Sequence, residues 1–379
     1  MRHVAPVGVL LAANALLGLP AHADNEPVGG TTHSAGSAPV GGAALGTRGV
    51  VAPAGVKAPP KTAAKSYVVA DAETGEVLAA KDPHGRYLPA STLKALTALT
   101  LIPKLDKNTK VKPSSRAVNE EGSAVGLVSK PLYTVDDLFK ALLLVSGNDC
   151  AMALAETNGG LAKTLREMNA EARRLQAYDT VAKTPSGLDK PGQSSSAYDL
   201  ALIARAGLAN RDFQRYTRTK TGRFPAPKGY YEIGNHNKLL WRYKGMIGVK
   251  NGWTSKALGS FVGAARRDGH TIIVTIMRHD GYFWNEVADL LDWGFAARSR
   301  VTPVGTLVDP LPEAAPTPTG QAVPRTPQVA RSTAPRADAA PAGNSGGVSP
   351  AVYGLGAGLL GGGVLLVYGL RRRSRSKSS

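Results

Sequence analysis

With 379 residues and a formal net charge of +18, the chain is long enough for a domain with a real core and basic enough to attract polyanions. Its one cysteine, Cys150, excludes an internal disulfide framework. The histidines are scattered without ligand spacing, so no metal and no cofactor are expected.

Residues 1–23 read as a secretory signal peptide: Arg2 and His3 precede an apolar run from Val4 to Leu19, and Ala21-His22-Ala23 offers small residues for cleavage. An exported chain meets anionic wall polymers and lipid headgroups, so no nucleic-acid partner is expected for its basic surface. Residues 24–65, rich in Gly, Ala and Pro, read as a flexible spacer. At Ser66 the pattern changes. Tyr67 to Ala70 and Val77 to Ala80 flank a Thr74-Gly75 turn and predict a β-hairpin. Ser91 to Ile102 predicts a buried helix, with Leu93, Leu96, Ala98 and Leu99 at helical spacing. Residues 106–131 are polar and irregular, with short strands at most.

Thr134-Val135-Asp136-Asp137 resembles a capping box, and the helix behind it carries Leu138, Ala141, Leu142 and Val145. Ser146-Gly147-Asn148 stops that helix. Further helices are predicted from Asp149 to Thr157, along the stripe Leu161, Leu165, Met168, Ala172 and Leu175, and from Ala197 to Leu208. Met246 to Thr254 reads as a strand. Leu258 to Arg266 and His270 to Met277 read as a hairpin turning at Asp268-Gly269. A last helix carries Trp284, Val287, Leu290, Leu291 and Phe295. The predicted folded unit is therefore 66–299, an α+β domain with one antiparallel sheet, flanking helices and a mostly helical subregion.

Residues 300–350, of Pro, Ala and Thr, read as a stalk. Residues 351–370 carry no charge and, at 1.5 Å per residue, reach about 30 Å, the thickness of a bilayer core. The basic tail at 371–379 holds five cations and should stay cytoplasmic. The expected localisation is the cell membrane, with a single C-terminal transmembrane helix and an exterior catalytic domain. That exterior part, without the tail and Arg2, keeps a charge of +12.

Three short motifs carry candidate chemistry. Ser91 and Lys94, at i and i+3, share one face of a helical turn, where a desolvated lysine can act as base for a serine nucleophile. The same spacing at Ser374 and Lys377 in the polar tail has no such meaning. Ser146-Gly147-Asn148 is either an ordinary helix–helix corner, capped by Ser and Asn, or a hydroxyl that relays a proton beside an amide that holds a base or substrate. Lys250-Asn251-Gly252 is either a surface lysine before a turn or a fixed cation beside a glycine that admits substrate to the strand edge. The three occur in this order, with 55 residues from Ser91 to Ser146 and 104 from Ser146 to Lys250.

That order resembles the motif set of penicillin-binding proteins and class A β-lactamases. Pro89 to Lys94, Ser146 to Glu156 and the loop Pro185-Ser186-Gly187-Leu188-Asp189 resemble serine-type D-alanyl-D-alanine carboxypeptidases, low-molecular-mass penicillin-binding proteins. The resemblance covers roughly Ser66 to Phe295. It implies a β-lactamase/transpeptidase-like fold and peptidoglycan stem peptides as substrates. β-Lactam antibiotics would be acylating inhibitors. It further implies Ser91 as nucleophile, Lys94 as its base and Ser146 as proton relay. Asn148, Lys250, Gly252, Trp253 and Thr254 would bind substrate, with the N–H groups of Ser91 and Trp253 as the oxyanion hole. Two departures stand out: Asn251 replaces the usual middle threonine of the third motif, and only the stalk follows Arg300. The literal Lys-Thr-Gly at Lys220-Thr221-Gly222 has no strand pattern before it and reads as a solvated basic loop. Two rival readings remain: a β-lactamase, for which Glu167 is the available carboxylate but sits on a helical stripe, and a non-catalytic binder of wall peptides.

Overall fold

The computed structural model describes residues 38–312. The expected signal peptide, the start of the spacer, most of the stalk, the span at 351–370 and the basic tail lie outside them. Among the described residues, no helix is long and apolar enough to cross a membrane.

In chain order the elements are a 3₁₀ turn (Ala43–Gly46), β1 (Val50–Val51), β2 (Ser66–Asp71), β3 (Glu76–Lys81) and a second 3₁₀ turn (Ala90–Leu93). Then come α1 (Lys94–Leu101), β4 (Lys110–Val111), α2 (Ser115–Val118), β5 (Tyr133–Thr134), α3 (Val135–Leu144), α4 (Asn148–Thr157) and α5 (Leu161–Arg174). They are followed by α6 (Ala197–Leu208), α7 (Arg211–Arg218), β6 (Thr221–Pro225), β7 (Tyr230–Gly234) and α8 (Leu239–Arg242). The last are β8 (Met246–Thr254), β9 (Leu258–Arg267), β10 (His270–His279), α9 (Trp284–Ala297) and β11 (Gly305–Thr306).

The main sheet is antiparallel in the order β1-β3-β2-β10-β9-β8, with β11 also paired to β3. Both faces are covered, which explains its nearly uninterrupted apolar strands. Val68 and Ala70 of β2, with Ile273 and Met277 of β10, face the larger core shared with the helical subregion. Their neighbours Tyr67, Val69, Ile272, Val274 and Ile276 face the layer under α9. Period-two alternation thus sorts one continuous apolar run into two cores.

The helical subregion is built around α1. All eight of its residues are buried, and α3, α4, α5 and α6 pack on it. Thr134 and Asp137 form the expected capping box, each side chain bonded to the other residue's backbone N–H. The chain then breaks at Ser146 and restarts as α4.

The folded unit extends past the expected limits of 66–299 at both ends. Within the expected spacer, Val50–Val51 pairs with Ala80 and Lys81, and Leu45 is fully buried in the larger core. The His84 imidazole bridges Val40 O (3.0 Å) and the Asp179 carboxylate (2.8 Å), tying this segment to the domain. Within the expected stalk, Val304 N donates to Val77 O at 2.9 Å, β11 pairs with Glu76 and Val77, and Leu307 is buried. Lone apolar residues among Gly, Ala and Pro give no periodicity, so neither attachment shows in the sequence.

The stretch around Lys220 also differs from expectation. It is no loop, because β6 begins at Thr221 and pairs with β7 along its whole length, burying Phe224 and Ile233. Pro225 is tolerated because it ends its strand.

These attachments set where the domain can be cut. A chain ending after Pro312 should unfold at the temperature of the full chain's domain. One ending after Ala297 loses β11 and the buried Leu307, about 1.5–3 kcal/mol for that side chain alone, and should melt several degrees lower. Thermal unfolding of the two truncations checks this.

Candidate active site

Ser91 lies in the 3₁₀ turn that leads into α1. The turn is set by Ala90, whose φ of +48° is unusual for a residue with a Cβ, and by Thr92 Oγ1 donating to Pro89 O at 2.6 Å. Gly187 closes over it: a Cβ there would fall 1.9 Å from Ala90 O, so only glycine lets the 184–189 loop come this near.

One turn on, Lys94 is completely buried. Its Nζ lies 3.0 Å from Ser91 Oγ, 2.7 Å from Asn148 Oδ1 and 2.6 Å from Ser186 O. The amide of Asn148 cannot be reversed, because its Nδ2 donates to Glu121 O at 2.5 Å. Burial, and then the nearby charge of Lys250, push the Lys94 amine well below the usual lysine range. A neutral amine has two N–H donors and one lone pair. Asn148 Oδ1 and Ser186 O can only accept, so they take both donors. In that neutral form the lone pair faces the Ser91 hydroxyl.

Ser146 sits at the break between α3 and α4 with φ +65°. Its hydroxyl is buried and has no hydrogen-bond partner among the described residues. A buried hydroxyl left unsatisfied is uncommon and suits a group that meets its partner only when substrate arrives. Next to it, Asp149 is fully buried and accepts from the backbone N–H groups of Val125 (3.1 Å), Gly126 (2.9 Å), Leu127 (3.1 Å) and Cys150 (2.9 Å). These bonds fix the 121–127 loop, whose Ser123 O accepts from Asn148 N at 2.7 Å and whose Glu121 O orients the Asn148 amide. Tyr231 Oη donates to Val125 O and braces the same loop from β7.

The third wall is β8, the edge strand. Lys250 is buried and its Nζ donates to Asn251 O at 2.7 Å. Burial lowers its amine to about 7. Its charge in turn helps to hold His236, in the turn after β7, below the usual histidine range; burial is the larger cause there. Gly252 backs onto Ser91, since a Cβ there would lie 2.5 Å from Ser91 N. Trp253 follows on the same strand, 65% exposed at the rim. The hydroxyl of Thr254 is already engaged, donating to Asp189 Oδ1 (3.0 Å) and accepting from Ala257 N (2.9 Å), so it ties β8 to the 184–189 loop. Arg278 donates to Lys256 O at 3.2 Å.

The structure therefore brings Ser91, Lys94, Asn148, Lys250 and Gly252 together, with Ser146 two residues from the Asn148 amide that touches Lys94. Cys150 is a buried core residue whose thiol burial holds well above its usual range. Glu167 is bound by Asn158 (2.6 Å) and Lys104 (3.2 Å) on α5 and is no candidate base. Sequence reasoning missed Ser186 O, Glu121 O and the Asp149 carboxylate. Backbone carbonyls carry no residue signature, and an aspartate at a helix start reads as an ordinary cap.

A family model for D-alanyl-D-alanine carboxypeptidases matches residues 54–281. A D-alanyl-D-alanine carboxypeptidase of Mycobacterium tuberculosis is 42% identical over 264 residues, 68% of this chain and 90% of that protein. One of Bacillus subtilis is 33% identical, over 56% of this chain and 57% of its own length. Among solved structures, a D-alanyl-D-alanine carboxypeptidase of M. tuberculosis superposes with a TM-score of 0.64 at 41% identity, over 68% of this chain and 99% of that one. A Streptomyces DD-transpeptidase superposes with a TM-score of 0.61 at 27% identity, over 63% of this chain and 100% of that one. With its fold, its three site motifs and these likenesses in agreement, the chain belongs to the D-alanyl-D-alanine carboxypeptidase family.

Proposed function

We propose that this protein is a serine D-alanyl-D-alanine carboxypeptidase that removes the terminal D-alanine from peptidoglycan stem pentapeptides. The observation that supports the residue assignment is the buried Lys94 amine, 3.0 Å from Ser91 Oγ and pushed well below the usual lysine range. As the Ser91 oxygen attacks the carbonyl carbon between the two D-alanines, its proton passes to Lys94 Nζ. The negative oxygen that forms is met by the N–H groups of Ser91 and Trp253, donors worth about 3–4 kcal/mol each in sites of this kind. Collapse of that intermediate breaks the C–N bond. The leaving amine takes a proton through the otherwise unpartnered Ser146 hydroxyl, and D-alanine departs. Water then attacks the ester, returning the peptide acid and the Ser91 hydroxyl. Lys250 supplies positive charge where the substrate carboxylate lies, and Gly252 gives the clearance for the peptide to lie along β8. Penicillin presents a strained amide to the same serine and leaves a stable ester. A β-lactamase reading finds no support, because Glu167 is held elsewhere.

We further place the catalytic domain outside the cytoplasmic membrane, with the signal peptide removed and the chain held by the span at 351–370. The uncharged span and its basic flank support that anchor.

Ser91→Ala should abolish both D-alanine release from a D-Ala-D-Ala pentapeptide and covalent labelling by fluorescent penicillin. Labelling that persisted in this variant would remove Ser91 from the mechanism.

Lys250→Ala should slow penicillin acylation by at least ~100-fold, the scale for losing a positioned charge, while Lys220→Ala stays within about twofold of wild type. The opposite pattern would transfer the third motif to residues 220–222.

The Lys250 amine, with its value lowered to about 7, is charged below that pH and neutral above it. The second-order acylation rate should therefore fall about tenfold per unit on the alkaline side of that value. Stopped-flow labelling between pH 6 and 9 measures it, and a flat profile would show that the charge is not required.

A further inference from the structure

Residues 211–256 hold eleven lysines and arginines against two carboxylates, half of the chain's net charge of +18. All of these cations except Lys250 are exposed. Within this stretch α8 packs on β8, and with the turn before it carries Lys238, Trp241 and Arg242 on one helical face. Lys220 lies 5.5 Å over the Trp241 ring, and Lys238 and Arg242 lie 5.2 and 5.8 Å over Tyr282. These five side chains thus form one contiguous patch. Trp241 is 54% and Tyr282 56% exposed, so each ring keeps a wide apolar surface in water.

The charges of this patch are not neutralised. Among the described residues, Lys220, Lys238 and Arg242 make no salt bridge, whereas Lys104, Lys140, Arg215, Arg267 and Arg298 all hold carboxylates. The patch is also joined to the site. Asn235 N donates to Lys220 O at 2.7 Å, His236 next to it feels the Lys250 charge, and α8 packs against β8.

We infer that this patch is a docking surface for the glycan strand of polymeric peptidoglycan, beyond the stem peptide that enters the cleft. The inference rests on the carboxypeptidase reading of that cleft. Exposed aromatic rings suit the apolar faces of sugars, and unpaired cations suit the free carboxylates of neighbouring stem peptides. A lipid surface fits less well. The patch exposes only Trp and Tyr rings with cations over them and offers no large aliphatic side chain to insert.

The test uses the full chain in non-ionic detergent and sacculi freed of attached phosphate polymers by acid treatment. Wild type blocked with penicillin should still sediment with these sacculi, and its binding should weaken steadily with added salt. Lys238→Gln/Arg242→Gln and Trp241→Ala should each reduce sedimentation at least ~10-fold while turning over a soluble pentapeptide within about twofold of wild type. That last measurement shows that the variants fold, and it tests the carboxypeptidase reading separately. The inference fails if the variants sediment like wild type. It fails if only sacculi that retain their phosphate polymers bind, which would make an accessory polyanion the partner. It fails equally if the substitutions weaken binding to anionic lipid vesicles and leave binding to sacculi intact.

Discussion

A primary amine without water is the constraint around which this domain is built. Burying an ammonium costs several kcal/mol even after the surroundings relax, and a lysine meets that cost most cheaply by giving up its proton. Lys94, pushed well below the usual lysine range, has two fixed acceptors around it, Asn148 Oδ1 and Ser186 O. Two obligate acceptors for two N–H donors leave the lone pair with one direction. The same arrangement around a charged lysine would require Ser91 to accept, and its hydroxyl proton would then point away from the base. Desolvation of the Lys94 amine therefore bears on the direction of the Ser91 hydroxyl proton as well.

Each acceptor comes from a different part of the chain, so each needs its own support. Ser186 O arrives on a loop admitted by Gly187 and held by Thr97 Oγ1 donating to Pro185 O at 2.7 Å. Asn148 is oriented from the 121–127 loop, and that loop is fixed by the Asp149 carboxylate through three of its backbone N–H groups, with a fourth bond from Cys150 N. A carboxylate at full burial is tolerable only with donors of this number. Asp149 also sits within the first turn of α4, where the helix dipole favours negative charge. The orientation of the Asn148 amide that meets Lys94 thus depends on a buried carboxyl group that never touches the lysine.

The sheet and most helices were legible because their apolar residues recur at period two or 3.6 over long stretches. The strand at Met246–Thr254 was read to the residue. The candidate site motifs were legible because Ser91, Lys94, Ser146, Asn148 and Lys250 are side chains of telling chemistry at short, fixed spacings. What stayed hidden has other physical grounds. Leu45 and Leu307 join the core singly, so no period announces them. The β6–β7 hairpin lies in a stretch crowded with Arg and Lys, where only Phe224 and Ile233 turn inward. Ser186 and Glu121 contribute carbonyl oxygens, which every residue has. Context favoured Lys250 for the third motif over the Lys-Thr-Gly spelling at 220–222, which opens an exposed two-stranded hairpin.

The altered middle residue of that motif falls where the geometry can spare it. Lys250 and Gly252 are both buried, and on a strand residues two apart share a face. Lys250 places its buried amine there. Gly252 is irreplaceable because Ser91 N occupies the space of a Cβ. Asn251 lies between them, on a more open position of the edge strand, where a polar group is needed but no close packing limits its shape. Thr254 cannot stand in for a missing hydroxyl, because Asp189 and Ala257 already use both of its hydrogen-bonding roles. The amide of asparagine instead offers two N–H donors where threonine offers one O–H. A substrate carboxylate needs only donors. An asparagine in this place therefore offers a carboxylate donors of a different geometry from threonine's, between a lysine and a glycine that are both buried.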